Sequence, residues 1–329
     1  MRREFAFDAG SPNILKESAC IGLMIAVVFS FINGGSQLKI TNKHNVPATL
    51  VALASTDYYS KGKADYSVTE LISPPRVQRL RRKHHSEMEQ DVSGMLWQLL
   101  GTALHVVAER GQADGYTTEE RLHTAINGVT LSGAIDLQQD VGNGLVLGDY
   151  KFTSAWAVRQ EKPEWEQQLN MYGWLVRREK QRDIAGLQIV ALIRDWNRRE
   201  AMAKADYPQS PIHMVDLPIW TQERAEEFIL ARIASHDDGK VAIDMEEDLP
   251  LCTDEDRWIR DTSYAVKKAG RKTAIKLFDN EADAAARAEF EKGYVEVRVG
   301  EAIRCTGNFC GVSQWCSQYQ NTIKEQGDE

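Results

Sequence analysis

The chain has 329 residues, 43% of them apolar and 27% charged, with a formal charge of −8. This length allows one large domain or about two of ordinary size, and the composition excludes collagen-like, low-complexity and wholly disordered chains. An acidic protein repels nucleic acid as a whole, so a role there needs a local basic patch or bound metal ions. Five cysteines, an odd number, do not make the framework of a small secreted domain; they point to a reducing, cytoplasmic setting, with thiols free or bound to metal.

The first 37 residues differ from the rest. Ala19 to Ile32 is an uncharged, mostly apolar run of 14 residues, short of the roughly 20 that span a bilayer, so no stable membrane association is expected. Glu4, Asp8 and Glu17 spoil the basic start of a signal peptide. Residues 1–37 are therefore expected to be an extension outside the fold, of the kind left by a translation start placed too early. Globular character begins near Leu38.

Ser67 to Leu71 reads as a strand or turn entry before Pro74-Pro75, and Arg76, Arg79, Arg81, Arg82 and Lys83 form a basic stretch. Met88, Val92, Leu96, Leu99 and Ala103 recur at steps of three and four, which predicts one long helix with a core stripe. Gly111 to Gly115 ends it. Arg121 to Phe152 reads as β, with turns at Asn127-Gly128 and Gly142-Asn143-Gly144. Pro163 suits the first turn of a helix whose apolar face is Trp165, Leu169, Tyr172 and Val176. Strands over Leu187–Arg194 and Ile212–Trp220 follow, then a helix capped by Thr221. This order predicts an α/β fold, a mixed central sheet flanked by helices.

Glu246 to Pro250 reads as a boundary, giving a core over residues 38–250 and a small C-terminal α+β module over residues 251–329. In that module Tyr264–Lys268 and Lys272–Phe278 flank Ala269-Gly270 as a hairpin. A helix from Glu281, a strand from Tyr294 to Val299 and a tail with Cys305, Cys310 and Cys316 follow.

The most informative words lie in the β region. In Gly148-Asp149-Tyr150-Lys151, alternation puts Asp149 and Lys151 on one face and Tyr150 on the other. A carboxylate and an ammonium together at a strand end can hold a divalent cation and position a water, although such pairs on a solvated face are common. Gly133-Ala134-Ile135-Asp136 brings a second carboxylate one hairpin away. His105 sits in the long helix with Gly101 one turn before it, where the missing side chain lets a backbone or a metal site come close. Glu109, one turn after His105, reads as a surface glutamate or an outer support. Gln168 and Tyr172 pair at i, i+4 on the next helix.

Taken in order, Gly101/His105, Gly133/Asp136, Asp149-Tyr150-Lys151 and Gln168/Tyr172 resemble the motifs of the PD-(D/E)XK nuclease superfamily, in its RecB-like branch: Gly-x-x-x-His, Gly-x-x-Asp, Asp-Tyr-Lys and Gln-x-x-x-Tyr. The resemblance covers residues 65–180 directly and implies a restriction-endonuclease-like core. It implies that Asp136, Asp149, His105 and the Tyr150 backbone carbonyl hold Mg²⁺ or Mn²⁺, an imidazole ligand favouring Mn²⁺. Lys151 would orient the attacking water and neutralise the phosphate, and Gln168 and Tyr172 would contact the DNA backbone or brace the site. Iron–sulfur nucleases of this branch carry three C-terminal cysteines and one ahead of the core. Here Leu71-Ile72-Ser73-Pro74-Pro75-Arg76 lacks that first cysteine, so Cys252 would complete a four-thiolate site with Cys305, Cys310 and Cys316, for zinc or an iron–sulfur cluster; buried unliganded thiols are the plain alternative.

The expected function is a metal-dependent DNA exonuclease in end processing, recombination, repair or phage replication, its partners DNA and a single-strand annealing or recombination protein. The basic stretch Arg76–Lys83 and the hairpin cations Lys267, Lys268, Arg271, Lys272 and Lys276 are candidate strand-guiding patches, with Trp156 or Trp315 as stacking partners; the bland alternative is solvated faces. The rival reading is a non-catalytic DNA-binding or assembly subunit that keeps the fold.

Overall fold

The structure, a computed structural model, describes residues 38–56, 61–245 and 247–327. The run Ala19–Ile32 and the expected N-terminal extension lie outside the described residues. The chain runs β1 (Lys39–Thr41), α1 (Ala48–Ala54), β2 (Tyr66–Ser67), α2 (Val68–Ile72), α3 (Pro75–Lys83), β3 (Glu89–Asp91) and α4 (Leu96–Ala108). It continues through β4 (Tyr116–Ile126), β5 (Val129–Asp140), β6 (Leu145–Thr153), α5 (Pro163–Lys180), β7 (Ile184–Ile193), α6 (Arg198–Ala203), β8 (Ile212–Leu217) and α7 (Gln222–Asp244). The C-terminal part holds α8 (Asp254–Arg257), β9 (Ile259–Arg260), β10 (Ser263–Lys267), β11 (Lys276–Phe278), α9 (Glu281–Glu291), β12 (Tyr294–Arg298), β13 (Glu301–Ala302), α10 (Ile303–Thr306) and α11 (Ser317–Gly327).

The central sheet is mixed, as the pattern of elements predicts. β4 lies antiparallel on one side of β5, joined by the two-residue Asn127-Gly128 turn with φ of 47° and 81°, the doubly positive geometry that Asn-Gly favours. The other side of β5 is shared. β2 pairs with it in parallel at Leu131 and Ser132, and β6 pairs antiparallel only from Leu137↔Gly148 to Asp140↔Leu145. Beyond Gly148, β6 leaves β5 and stays with β7 in parallel as far as Thr153↔Ile193, with β8 antiparallel outside. Residues 133–136 of β5 therefore border a fork.

α5 is buried on more than the predicted face. Trp165, Leu169, Tyr172 and Val176 are inside, and so are Met171, Trp174 and Leu175, because α7 covers the side turned away from the sheet. Gly133 is required by this packing: a Cβ there would stand 2.7 Å from Leu175 Cδ1 and 2.8 Å from Tyr172 Cε1.

Several expectations are corrected. Of the strand or turn entry expected over Ser67–Leu71, Ser67 does end strand β2, but Val68 onward is helix, since Ser67 and Glu70 form a reciprocal capping box. The long helix is interrupted: Met88 precedes β3, which pairs with β1, Asp91 caps a 3₁₀ turn over Val92–Met95, and α4 starts at Leu96. No residue of α4 is buried, so Leu96 and Ala103 are not core. β8 stops at Leu217, where Pro218 has no N–H to continue the ladder.

The basic stretch is not a free patch. Arg76 is buried and donates to the carbonyls of Pro250 and Leu249, to Ser317 Oγ and to Asp248; Arg79 and Arg81 donate to the carbonyls of His236 and Cys310, and Arg82 pairs with Glu70. Arg76 and Arg81 fasten α3 to the C-terminal segment, where Val77 and Leu80 share an apolar cluster with Leu249, Cys310, Val312 and Cys316, while Arg79 and Arg82 tie α3 to α7 and α2. In that segment β11 and β12 flank β10 on either side, with α9 packed on them. Lys267 and Lys268 of the hairpin are paired with Glu296 and Glu291, while Arg271, Lys272 and Lys276 are exposed. Among the described residues no helix is long and apolar enough to cross a membrane.

Candidate active site

The fork collects the motif residues. Where β6 parts from β5, the Tyr150 N–H loses its ladder partner, and the Asp136 carboxylate accepts it instead at 2.8 Å. The Tyr150 carbonyl leaves the strand on the same edge as its N–H, so it faces the same gap. Asp149 and Lys151 share a face, as alternation predicts, and Lys151 Nζ stands 2.6 Å from Asp149 Oδ2. The contact is ionic and off the line of a hydrogen bond, so this buried oxygen keeps no hydrogen-bond partner. The Gln168 amide joins the pair: its Nε2 donates to Asp149 Oδ1 (2.9 Å) and lies 3.0 Å from the Tyr172 hydroxyl, while its Oε1 accepts from Lys151 Nζ (3.0 Å). Gln168 and Tyr172 are 9% and 4% exposed, and hydrogen bonds join them to Asp149, Lys151 and each other.

His105 approaches from α4. Its Nδ1 donates to Glu119 Oε1 at 3.0 Å and lies 3.6 Å from Asp136 Oδ2. Glu119 is the residue that sequence reasoning missed. It stands across from Asp136 between β4 and β5, has a φ of 51°, and the regular pairing skips this one position. The signal was present: counting outward from the Asn127-Gly128 turn puts Glu119 opposite Asp136. Glu109 does not join; it is exposed and ends α4. Gly101 has nothing within 4 Å of where a Cβ would be, so no backbone approaches it, contrary to expectation.

The electrostatics suit a divalent cation. Ligand atoms of His105, Glu119 and Asp136 lie within 4.8 Å of one another, while Asp149 is turned towards Lys151 and Gln168. Burial, and then the Asp149 charge, push the Asp136 carboxyl up to about 7, against the pull of His105 and the Tyr150 N–H. The bond to Glu119 pulls the His105 imidazole up, opposed by burial and aided by the Asp136 charge. Buried carboxylates that repel each other, and an Asp149 oxygen with no donor, fit a hard cation better than the bare site.

The four C-terminal thiols converge as well. Cys252, Cys305, Cys310 and Cys316 line one cavity of about 20 Å³ together with Arg76, Arg257 and Arg304. The Nε atoms of Arg257 and Arg304 are buried without a partner. Burial, Asp256 and the neighbouring thiols push Cys252 up to about 12. Trp315 is half-buried with one face stacked on His84 at 4.7 Å, whereas Trp156 is 63% exposed.

A model of the PD-(D/E)XK nuclease superfamily matches residues 48–317. Solved structures similar to the chain include that of SSO0001, at 16% identity and a TM-score of 0.37 over 57% of this chain and 82% of that one. They also include a Eubacterium rectale protein named "Putative exonuclease", at 10% identity and a TM-score of 0.27 over 46% of this chain and 53% of that one. No curated protein matches the sequence.

Proposed function

Because the chain belongs to the PD-(D/E)XK nuclease superfamily, we propose that it is a divalent-metal-dependent deoxyribonuclease of the RecB-like branch, an exonuclease on DNA ends. The observation that carries this reading is the fork, where buried Asp136 and Asp149 meet His105 and Lys151. Asp136, Asp149, His105 and the Tyr150 carbonyl, with Glu119 added, would hold Mg²⁺ or Mn²⁺, which lowers the pKa of a water and stabilises charge on the phosphate. Lys151 Nζ donates to the attacking water and to a phosphate oxygen. Gln168 keeps Lys151 and Asp149 side by side, and Tyr172 keeps Gln168 in place.

The absence of a base-reading helix-turn-helix or zinc-finger pattern in the sequence favours end digestion over sequence-specific cutting. The work would be end processing in recombination, repair or phage replication, beside a single-strand annealing or recombination protein. The rival, a binding subunit without catalysis, leaves the Asp136/Asp149/Lys151 set unexplained. Digestion of linear, circular and single-stranded DNA with Mn²⁺, with Mg²⁺ and with chelator tests the reading. Loss of linear substrate with metal alone is expected; intact DNA in every lane would overturn it.

The four cysteines are proposed as a second, thiolate metal site. The support is their shared cavity, with Arg76, Arg257 and Arg304 in its lining; burial raises the pKa of Cys252 and Cys305, a cost that a bound metal would offset. Tetrahedral zinc, with bonds of about 2.3 Å, needs its sulfurs within about 4 Å of one another, and no three of these thiols lie within 4.8 Å of each other. That spacing favours the larger iron–sulfur cluster, for which the small cavity would have to widen. Elemental analysis and the absorption spectrum of anaerobically prepared protein decide among iron, zinc and free thiols.

A further inference from the structure

Trp97, Gly101 and His105 stand at i, i+4 and i+8 and make one ridge along α4. At one end His105 touches the fork. At the other, about 12 Å away by helical rise, Trp97 is 50% exposed and packs on Phe152, the residue after Lys151, with ring centroids 6.1 Å apart. The Arg194 guanidinium lies 4.7 Å from the Trp97 ring centre, and Arg194 has no ion-pair partner among the described residues. Ala155 N–H donates to Asp195 Oδ1 at 2.7 Å, which ties the residue before Trp156 to the one after Arg194. Trp156 is 63% exposed, with Lys162 Nζ 5.1 Å from its ring centre. Between the two ends, Gly101 leaves a step that no protein atom fills.

An exposed apolar face alone would not say what covers it. Here each exposed indole carries a cation, and neither cation is paired with a carboxylate. Aromatic faces beside unpaired cations fit an anionic chain with free planar groups, which is an unpaired nucleic-acid strand. A duplex offers its phosphates but keeps its base faces covered.

We propose that the α4 ridge is a track for single-stranded DNA entering the fork: Trp97 stacks a base, Arg194 neutralises a phosphate, Trp156 and Lys162 extend the track outward, and bare Gly101 lets the strand pass to His105. The assignment rests on the nuclease reading and gives it a substrate, an unpaired end. Gly101 is then kept for clearance, since a helix interior otherwise favours almost any other residue over glycine.

The test measures binding of fluorescent oligothymidine and of a blunt duplex of equal length by the full chain, without divalent metal, beside Mn²⁺-dependent cleavage. Trp97→Ala should weaken oligothymidine binding about 10-fold or more, with Trp97→Phe recovering most of it. Gly101→Leu should weaken it to a similar extent while melting at or above the wild-type temperature, because open space surrounds the site. Duplex binding should change less than about two-fold in all three. Unchanged oligothymidine binding, or equal loss on both DNAs, overturns the track. Trp97→Ala that leaves DNA binding intact and breaks a dimer overturns it in favour of a second copy of the chain. A wild-type chain that cleaves but shows no Trp97 dependence keeps the nuclease reading and loses the track. One that binds through Trp97 but never cleaves keeps the track and loses the nuclease. One that neither binds nor cleaves loses both.

Discussion

Glu119 is held with φ at 51°, a conformation that costs a non-glycine residue about 1–2 kcal/mol and that aims its carboxylate at His105. Glu119→Gly should relieve the backbone and hold the melting temperature while raising the Mn²⁺ concentration needed for half-maximal cleavage about 10-fold, as loss of a partner to a metal-binding histidine does. An unchanged metal titration would make Glu119 a simple hydrogen-bond acceptor. Lys151→Ala and Asp149→Ala should each slow single-turnover cleavage by at least about 100-fold with folding intact by circular dichroism; near wild-type digestion by either would sink the site assignment. Gly133 tests the brace. Gly133→Ala must push Leu175 or Tyr172 aside, at about 1–3 kcal/mol, so both stability in urea and cleavage rate should fall.

At the scale of elements, α7 caps α2. Arg232 donates to the carbonyls of Leu71, Ile72 and Ser73, and the His236 ring, one turn on and 1% exposed, lies 3.0 Å from Ser73 O and 3.3 Å from Leu71 O. Burial first, then the Arg232 charge, lower the His236 pKa to about 4. A folded-state pKa below the unfolded value means that the unfolded chain takes up the proton first. Stability from this group is therefore full above pH ~6.5 and lost as pH falls to ~4, by up to about 3 kcal/mol. Asp136 acts in the opposite sense: with its pKa raised to about 7, the metal-free fold gains a proton, and stability, over the same range. Urea melts at pH 7 and pH 4.5 should thus show His236→Gln, which keeps an N–H donor, gaining stability on acidification relative to wild type. Parallel pH dependences in the two proteins would contradict the capping account.

For the whole molecule, the balance of charge matters less than where charges are spent. Of the cations in the two basic stretches, Arg76 and Arg79 are buried, and Arg81, Arg82, Lys267 and Lys268 bond to other groups of the protein. Arg76 alone bonds residues 248–250 and Ser317, so Arg76→Met should cost about 3 kcal/mol and loosen the cysteine segment from α3. Faster proteolysis in the segment beyond residue 250 would report it, and wild-type resistance would refute it.

The sequence by itself determined the chain order of the motif residues and part of how they meet, because turns and strand alternation are local: Asn127-Gly128 sets the β4/β5 register, and period two puts Asp149 beside Lys151. It also made α5 legible, through Pro163 and one apolar stripe. Only tertiary structure decided the rest. Whether Arg76 meets DNA or Ser317 depends on a contact between residues 241 positions apart, and that Asp149 turns to Gln168 depends on α5 lying against β6. The α4 stripe has the period of a core helix, yet Leu96 and Ala103 are exposed and Leu99 is only half-buried, because period describes a helix's faces and only packing says which of them is covered.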